Sequence, residues 1–141
     1  MSGMFNRGMY VLTDGATPWT SSDFRALLVT SSFSFDPDLN TVSQITNELS
    51  GGGYARVALS SKTRTEDDSL NRVVFDAADA TFAALGLAAG TPARVIVYKY
   101  NASDASAELI SCHDLTSPPA PNGGDYTIVW ASSGLFYLSS P

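Results

Sequence analysis

Along this chain short apolar runs are separated by polar turn clusters about every 8 to 15 residues, the spacing of strands in sandwiches and barrels. The run Phe24 to Thr30 is apolar at nearly every position. It is entered from Pro18-Trp19-Thr20-Ser21-Ser22-Asp23 and left through Ser31-Ser32, which predicts a central strand covered on both faces. From Tyr54 to Ser60, Ala55, Val57 and Leu59 alternate with Tyr54, Arg56 and Ala58, which predicts a strand with one buried face. The polar stretch Lys62 to Asp68 suits a solvent-facing hairpin arm leading into Arg72 to Asp76, with Ala80 to Ala83 continuing that sheet. Ala93 to Tyr100, nearly all β-formers, is placed in mid-sheet, and further strands are predicted at Glu108 to Leu115, Tyr126 to Trp130 and Leu135 to Leu138.

Helical spacing occurs twice. Val42, Ile45 and Leu49 fall at i, i+3 and i+7, and Gln44 follows Thr41 in capping-box register, so a short helix is predicted there, stopped by Gly51-Gly52-Gly53. Phe5, Met9 and Leu12 also have helical spacing, but Gly8 weakens a helix by about 1 kcal/mol relative to Ala. Residues 1–20 are therefore either a short helix or an arm that orders on a partner. Residues 21–141 are expected to form one all-β domain, an antiparallel β-sandwich of about seven or eight strands with one short helix.

Composition narrows the function classes. With 44% hydrophobic and 16% charged residues, the 141-residue chain is far from the signature of disorder and is long enough for its own core. A formal net charge of −6 leaves no basic stripe to neutralise phosphates, so nucleic-acid binding is not expected. Cys112 is the single cysteine, so neither an intramolecular disulfide nor a zinc site with paired thiolates is expected. The segment Met1 to Tyr10 has no continuous apolar core of a signal peptide, and no stretch reaches the length of a membrane span. Synthesis in the cytoplasm, with no membrane partner, is the expectation.

Candidate chemistry is sparse. His113, the only histidine, lies between Cys112 and Asp114 on a predicted strand, where adjacent side chains point to opposite faces and cannot pair as nucleophile and base. Asp36-Pro37-Asp38-Leu39-Asn40 opens like a calcium loop but has Thr41 where glycine is needed and Asn47 in place of the bidentate glutamate, so it reads as a turn. Gly51-Gly52-Gly53 leads into a strand without a Lys-Ser/Thr pair, unlike a phosphate loop, and Glu66-Asp67-Asp68 reads as a solvated hairpin tip. Asn101-Ala102-Ser103 fits a glycosylation triplet that lacks a secretory context. Tyr98, Tyr126, Trp130 and Phe136 have strand spacing and are assigned to core or interface, whereas Trp19 in its polar loop is a candidate anchor for a partner. No enzyme activity, cofactor or metal is expected.

One ordered set of phrases carries a resemblance: Phe24-Arg25-Ala26-Leu27-Leu28-Val29-Thr30, Asn47-Glu48-Leu49-Ser50-Gly51-Gly52-Gly53-Tyr54-Ala55-Arg56-Val57 and Phe75-Asp76-Ala77-Ala78-Asp79-Ala80-Thr81-Phe82. It continues through Val95-Ile96-Val97-Tyr98-Lys99 and Asn122-Gly123-Gly124-Asp125-Tyr126-Thr127-Ile128-Val129-Trp130 to Gly134-Leu135-Phe136. Over residues 5–138 the chain resembles small virion structural proteins of tailed bacteriophages, in particular capsid decoration or cement proteins. The resemblance implies a cofactor-free β-sandwich on the capsid surface, made in the host cytoplasm, that binds the major capsid protein and stabilises the closed lattice, with self-association as a dimer or trimer open. Phe5, Met9, Tyr10 and Trp19 are the expected partner contacts. The alternative within the same resemblance is a tail- or neck-associated module, an adaptor or a receptor- or glycan-binding protein, that uses loops such as Ala120 to Asp125.

Overall fold

The computed structural model of the chain describes residues 3–140; Met1 and Ser2 of the expected N-terminal segment and Pro141 lie outside them. The elements are β1 (Gly3–Met4), α1 (Asn6–Thr13), β2 (Phe24–Val29), β3 (Val57–Ala58), β4 (Thr63–Asp67), β5 (Arg72–Asp76), β6 (Ala80–Phe82), β7 (Arg94–Lys99), β8 (Glu108–Asp114), β9 (Tyr126–Ile128) and β10 (Phe136–Ser139). Two single 3₁₀ turns, Val42–Gln44 and Leu87–Ala89, complete the set. The fold is mainly β, every strand pair is antiparallel, and α1 is the one α-helix among the described residues.

The strands form a five-stranded sheet in the order β1-β8-β7-β2-β3, a three-stranded sheet β10-β5-β4 and a two-stranded sheet β6-β9. The nearly continuous apolar runs of β2 and β7 follow from their central place in the large sheet, which is covered on both faces. On one face Phe24, Ala26, Leu28, Val95 and Val97 pack with Phe75, Phe82, Ile128 and Phe136 of the two smaller sheets. On the other, Leu27, Val29, Ile96 and Tyr98 are covered by Phe5, Phe33 and Val42, with Phe35 and Ile45 at the margin. The cover of the second face is therefore the irregular stretch between β2 and the first 3₁₀ turn, together with the N-terminal segment.

Several elements depart from expectation. The helix predicted from Thr41 to Leu49 shrinks to one 3₁₀ turn. The Gln44 side chain does accept the Thr41 N–H at 3.0 Å, as a capping box requires, but Ile45 is already extended and Asn47 has φ 61°. Backbone pairing with β2 explains the change: Thr30 N–H donates to Asn47 O at 2.9 Å and Leu49 N–H to Leu28 O at 3.0 Å, so the segment is drawn along the sheet edge. The strand predicted over Tyr54 to Ser60 narrows to Val57–Ala58. Before it, Arg56 is held by Glu48 (2.7 Å) and Asp104 (2.7 Å), and the Tyr54 hydroxyl donates to Glu48 (2.8 Å) while accepting the Leu28 N–H (3.0 Å). These side-chain bonds replace a ladder. Ala80–Phe82 does not extend the β4-β5 sheet; it crosses to pair with β9.

Candidate interaction surfaces

The N-terminal segment is built into the body. After β1 pairs with β8, the Phe5 N–H donates to Ile110 O at 3.0 Å. Ile110 is the extra residue of a bulge: Val97 stands opposite Ser111 while Tyr98 stands opposite Leu109, which frees the Ile110 carbonyl from the β7 ladder. The helix then rests on this strand through Gly8, and Asn6 is tied to the loop beyond, its N–H to Pro37 O at 2.9 Å and its side chain to Asp38 at 2.7 Å.

Of the four residues expected to reach a partner, two are exposed and two are not. Met9 is 41% and Tyr10 64% exposed on the outer side of α1, with the Arg7 guanidinium 5.5 Å from the Tyr10 ring and 3.6 Å from Glu108. Phe5 is fully buried beside Phe35, the ring centroids 5.1 Å apart. Trp19 is buried against Phe24 at 4.6 Å and Phe136 at 5.3 Å, and its indole N–H donates to Asp76 O at 3.0 Å. The expectation that Phe5 and Trp19 anchor a partner is therefore corrected: both are core residues, Trp19 concealed by its polar loop and Phe5 by the glycines on either side of it.

The candidate chemical groups sit as turn and core elements. Asp36 Oδ1 accepts the Asp38 N–H at 3.0 Å, an Asx turn, and Asp67 accepts from Ser69, Leu70 N–H and Arg72 at the β4-β5 tip, which holds its carboxyl below the usual range. Among the described residues no group of three or more His, Cys, Asp and Glu is placed to hold a metal. Gly51, Gly52 and Gly53 all have positive φ, and a β-carbon on Gly52 would lie 2.4 Å from Ala89 N, so the triplet lets two loops touch.

Cys112 and His113 do face opposite sides of β8. The Cys112 thiol lies in the core under the N-terminal cover, where burial pushes its pKa up to about 12. His113 packs edge-on to Trp130 at 5.6 Å and shares a 2.9 Å hydrogen bond between Nε2 and the Ser111 hydroxyl. Burial lowers the His113 pKa to about 4, so the ring is neutral at pH 7. The Ser111–His113 pair has the atoms of a nucleophile and base, but Ser111 is fully buried and closed to a substrate.

His113 also lines a cleft of about 540 Å³, a feature the sequence reading did not foresee. One wall runs the length of β9 and its exit, Asp125 to Ala131. The facing wall is the end of β8 with Leu115, Thr116, Pro118 and Pro119, and Val95 and Leu135 also line the cleft. Tyr126 ties the proline loop to β9 through a 2.9 Å bond from its hydroxyl to Pro119 O, and Trp130 Nε1 donates to Ala78 O at 3.0 Å. The signals in the sequence were the shared face of Tyr126, Ile128 and Trp130 and the proline-rich loop before them. The chain matches no protein-family model, no curated protein and no solved structure.

Proposed function

We propose that the protein is a non-enzymatic virion component that binds the outside of a tailed-phage capsid lattice and stabilises it as a decoration protein. The reading starts from the resemblance over residues 5–138, and one structural observation supports it. Met9 and Tyr10 are presented to solvent on a helix pinned at Phe5, Asn6 and Gly8, so a partner gains an aromatic anchor without paying to order an arm. Many copies on a closed lattice turn a modest contact into a large collective stabilisation. The net charge of −6 keeps such a protein off packaged DNA and soluble before assembly.

The test uses capsids of the encoding phage stripped of this protein, rebound with the intact chain or with a Met9→Asp/Tyr10→Asp variant. Both positions are exposed, so the variant folds. The expected result is an occupancy loss of roughly tenfold or more for the variant. Equal occupancy removes the α1 face from the contact. The alternative, a tail or neck module, is favoured by the cleft beside Asp125; binding of the intact chain to tails but not to capsids would select it.

A further inference from the structure

The two-stranded β6-β9 sheet leaves one side of β9 without a strand, and the cleft is lined by β9 but by none of the residues of β6. Which backbone groups face it follows from the register. The Thr81 and Thr127 hydroxyls are 2.9 Å apart, the close side-chain approach of a pair that exchanges no backbone hydrogen bonds. The ladder bonds therefore belong to Ala80–Ile128 and Phe82–Tyr126. In the same parity Trp130 N–H turns to the β6 side, where it donates to Asp79 Oδ1 at 3.1 Å. The N–H and C=O of Thr127 and Val129 consequently point away from β6. Val129 is 74% exposed.

We infer that the β9 edge and the facing 113–119 wall form an acceptor for an extended, basic segment of a partner protein, which adds as a strand alongside Thr127 and Val129. Unpaired strand edges recruit extended chain through main-chain bonds, with alternate side chains supplying selectivity. The cleft supplies the second requirement, room for the incoming strand beside β9 with an apolar lining from Val95, Leu135 and Trp130. Charge selects the occupant. The lining contains no Lys or Arg; Asp114 is paired with Arg94 at 2.6 Å, whereas among the described residues Asp125 accepts the Ala84 N–H at 3.2 Å and makes no ion pair. A second copy of this chain, also at −6, is repelled where a segment carrying Lys or Arg is attracted. The inference is independent of the capsid reading, since any partner with such a segment qualifies.

The experiment follows backbone amides of the ¹⁵N-labelled chain during titration with an acetylated, amidated alternating Lys-Val peptide and with its Glu-Val counterpart. Saturable shifts at Thr127 and Val129 are expected, with the Lys-Val peptide binding roughly tenfold or more tightly than the Glu-Val peptide. The variant Val129→Pro removes one outward N–H; it should keep the fold, because an edge strand tolerates proline on its free side, and lose the peptide. Three outcomes overturn the inference: no shifts at these amides, equal affinity for both peptides, or unchanged binding by Val129→Pro. Should Val129→Pro fail to fold through its fixed φ or its clash with Ile128, the amide shifts and the Lys-Val against Glu-Val comparison on the intact chain decide.

Discussion

Gly8 lies directly on Ile110: a β-carbon at Gly8 would stand 2.3 Å from the Ile110 carbonyl oxygen and 2.6 Å from its Cα. The glycine that counts against a helix in sequence terms is what allows the helix to lie on the bulged strand. Replacement by alanine should therefore destabilise the protein by about 1–3 kcal/mol through overpacking, although alanine is the better helix former. Chemical denaturation of Gly8→Ala checks the sign. Stabilisation by the ordinary helix-propensity increment would mean that α1 does not rest on β8.

Burial separates the four N-terminal apolar residues into two stability classes. Phe5→Ala and Trp19→Ala should each cost about 3–5 kcal/mol, since each empties a core site, and Trp19 also leaves Asp76 O without its indole donor. Tyr10→Ala should change stability by no more than about 0.5 kcal/mol. Urea denaturation midpoints of the three variants measure the contrast directly. Truncating residues 1–10 would confound any partner-binding test, because it removes Phe5 and the β1 strand along with Tyr10.

His113 gives stability a defined pH dependence. Its pKa falls from 6.5 when unfolded to about 4 in the folded protein, chiefly through burial, so between these values the unfolded chain binds more protons. Stability is complete above pH 6.5 and declines as pH falls toward 4, by up to about 3 kcal/mol. Carboxylates such as Asp104, held low by its hydrogen bonds from Arg56, lose their contribution only at more acid pH. Denaturation of the intact chain and of His113→Gln across pH 4.5–7 tests the assignment, with a flatter profile expected for the variant.

Cys112 should be inert in the native protein, since its buried thiol with a pKa near 12 supplies almost no thiolate at neutral pH. A thiol reagent should modify it only at the rate of unfolding. Rapid, denaturant-independent labelling would show that the N-terminal cover over the β8 face opens readily.

Legibility from the sequence followed the range of the interactions. β2, β7, β8 and the β4-β5 hairpin are written in local periodicity and β-branched runs, and their placement needs no distant partner. Trp19 was misplaced because, apart from Phe24, the rings that enclose it, Phe75 and Phe136, lie more than fifty residues away, while its loop is polar. Val42 and Ile45 turn toward one core and Leu49 toward the other, not to the single face their helical spacing predicts, because backbone pairing of Asn47 and Leu49 with β2 overrides the helix. Met9 and Tyr10, named from the sequence as partner contacts, are exposed, whereas Phe5 and Trp19 are not. The β9 cleft was not foreseen, because it depends on β6 leaving the β4-β5 sheet to pair with β9.

The proposal that this protein decorates a tailed-phage capsid is tested most directly by its copy number relative to the major capsid protein in purified virions that carry it, measured by quantitative mass spectrometry. Decoration of a symmetric lattice predicts about one copy for every one to three capsid subunits. A ratio of roughly a few hundredths, the stoichiometry of a ring or spike at a single vertex, would contradict it and place the protein in the tail or neck.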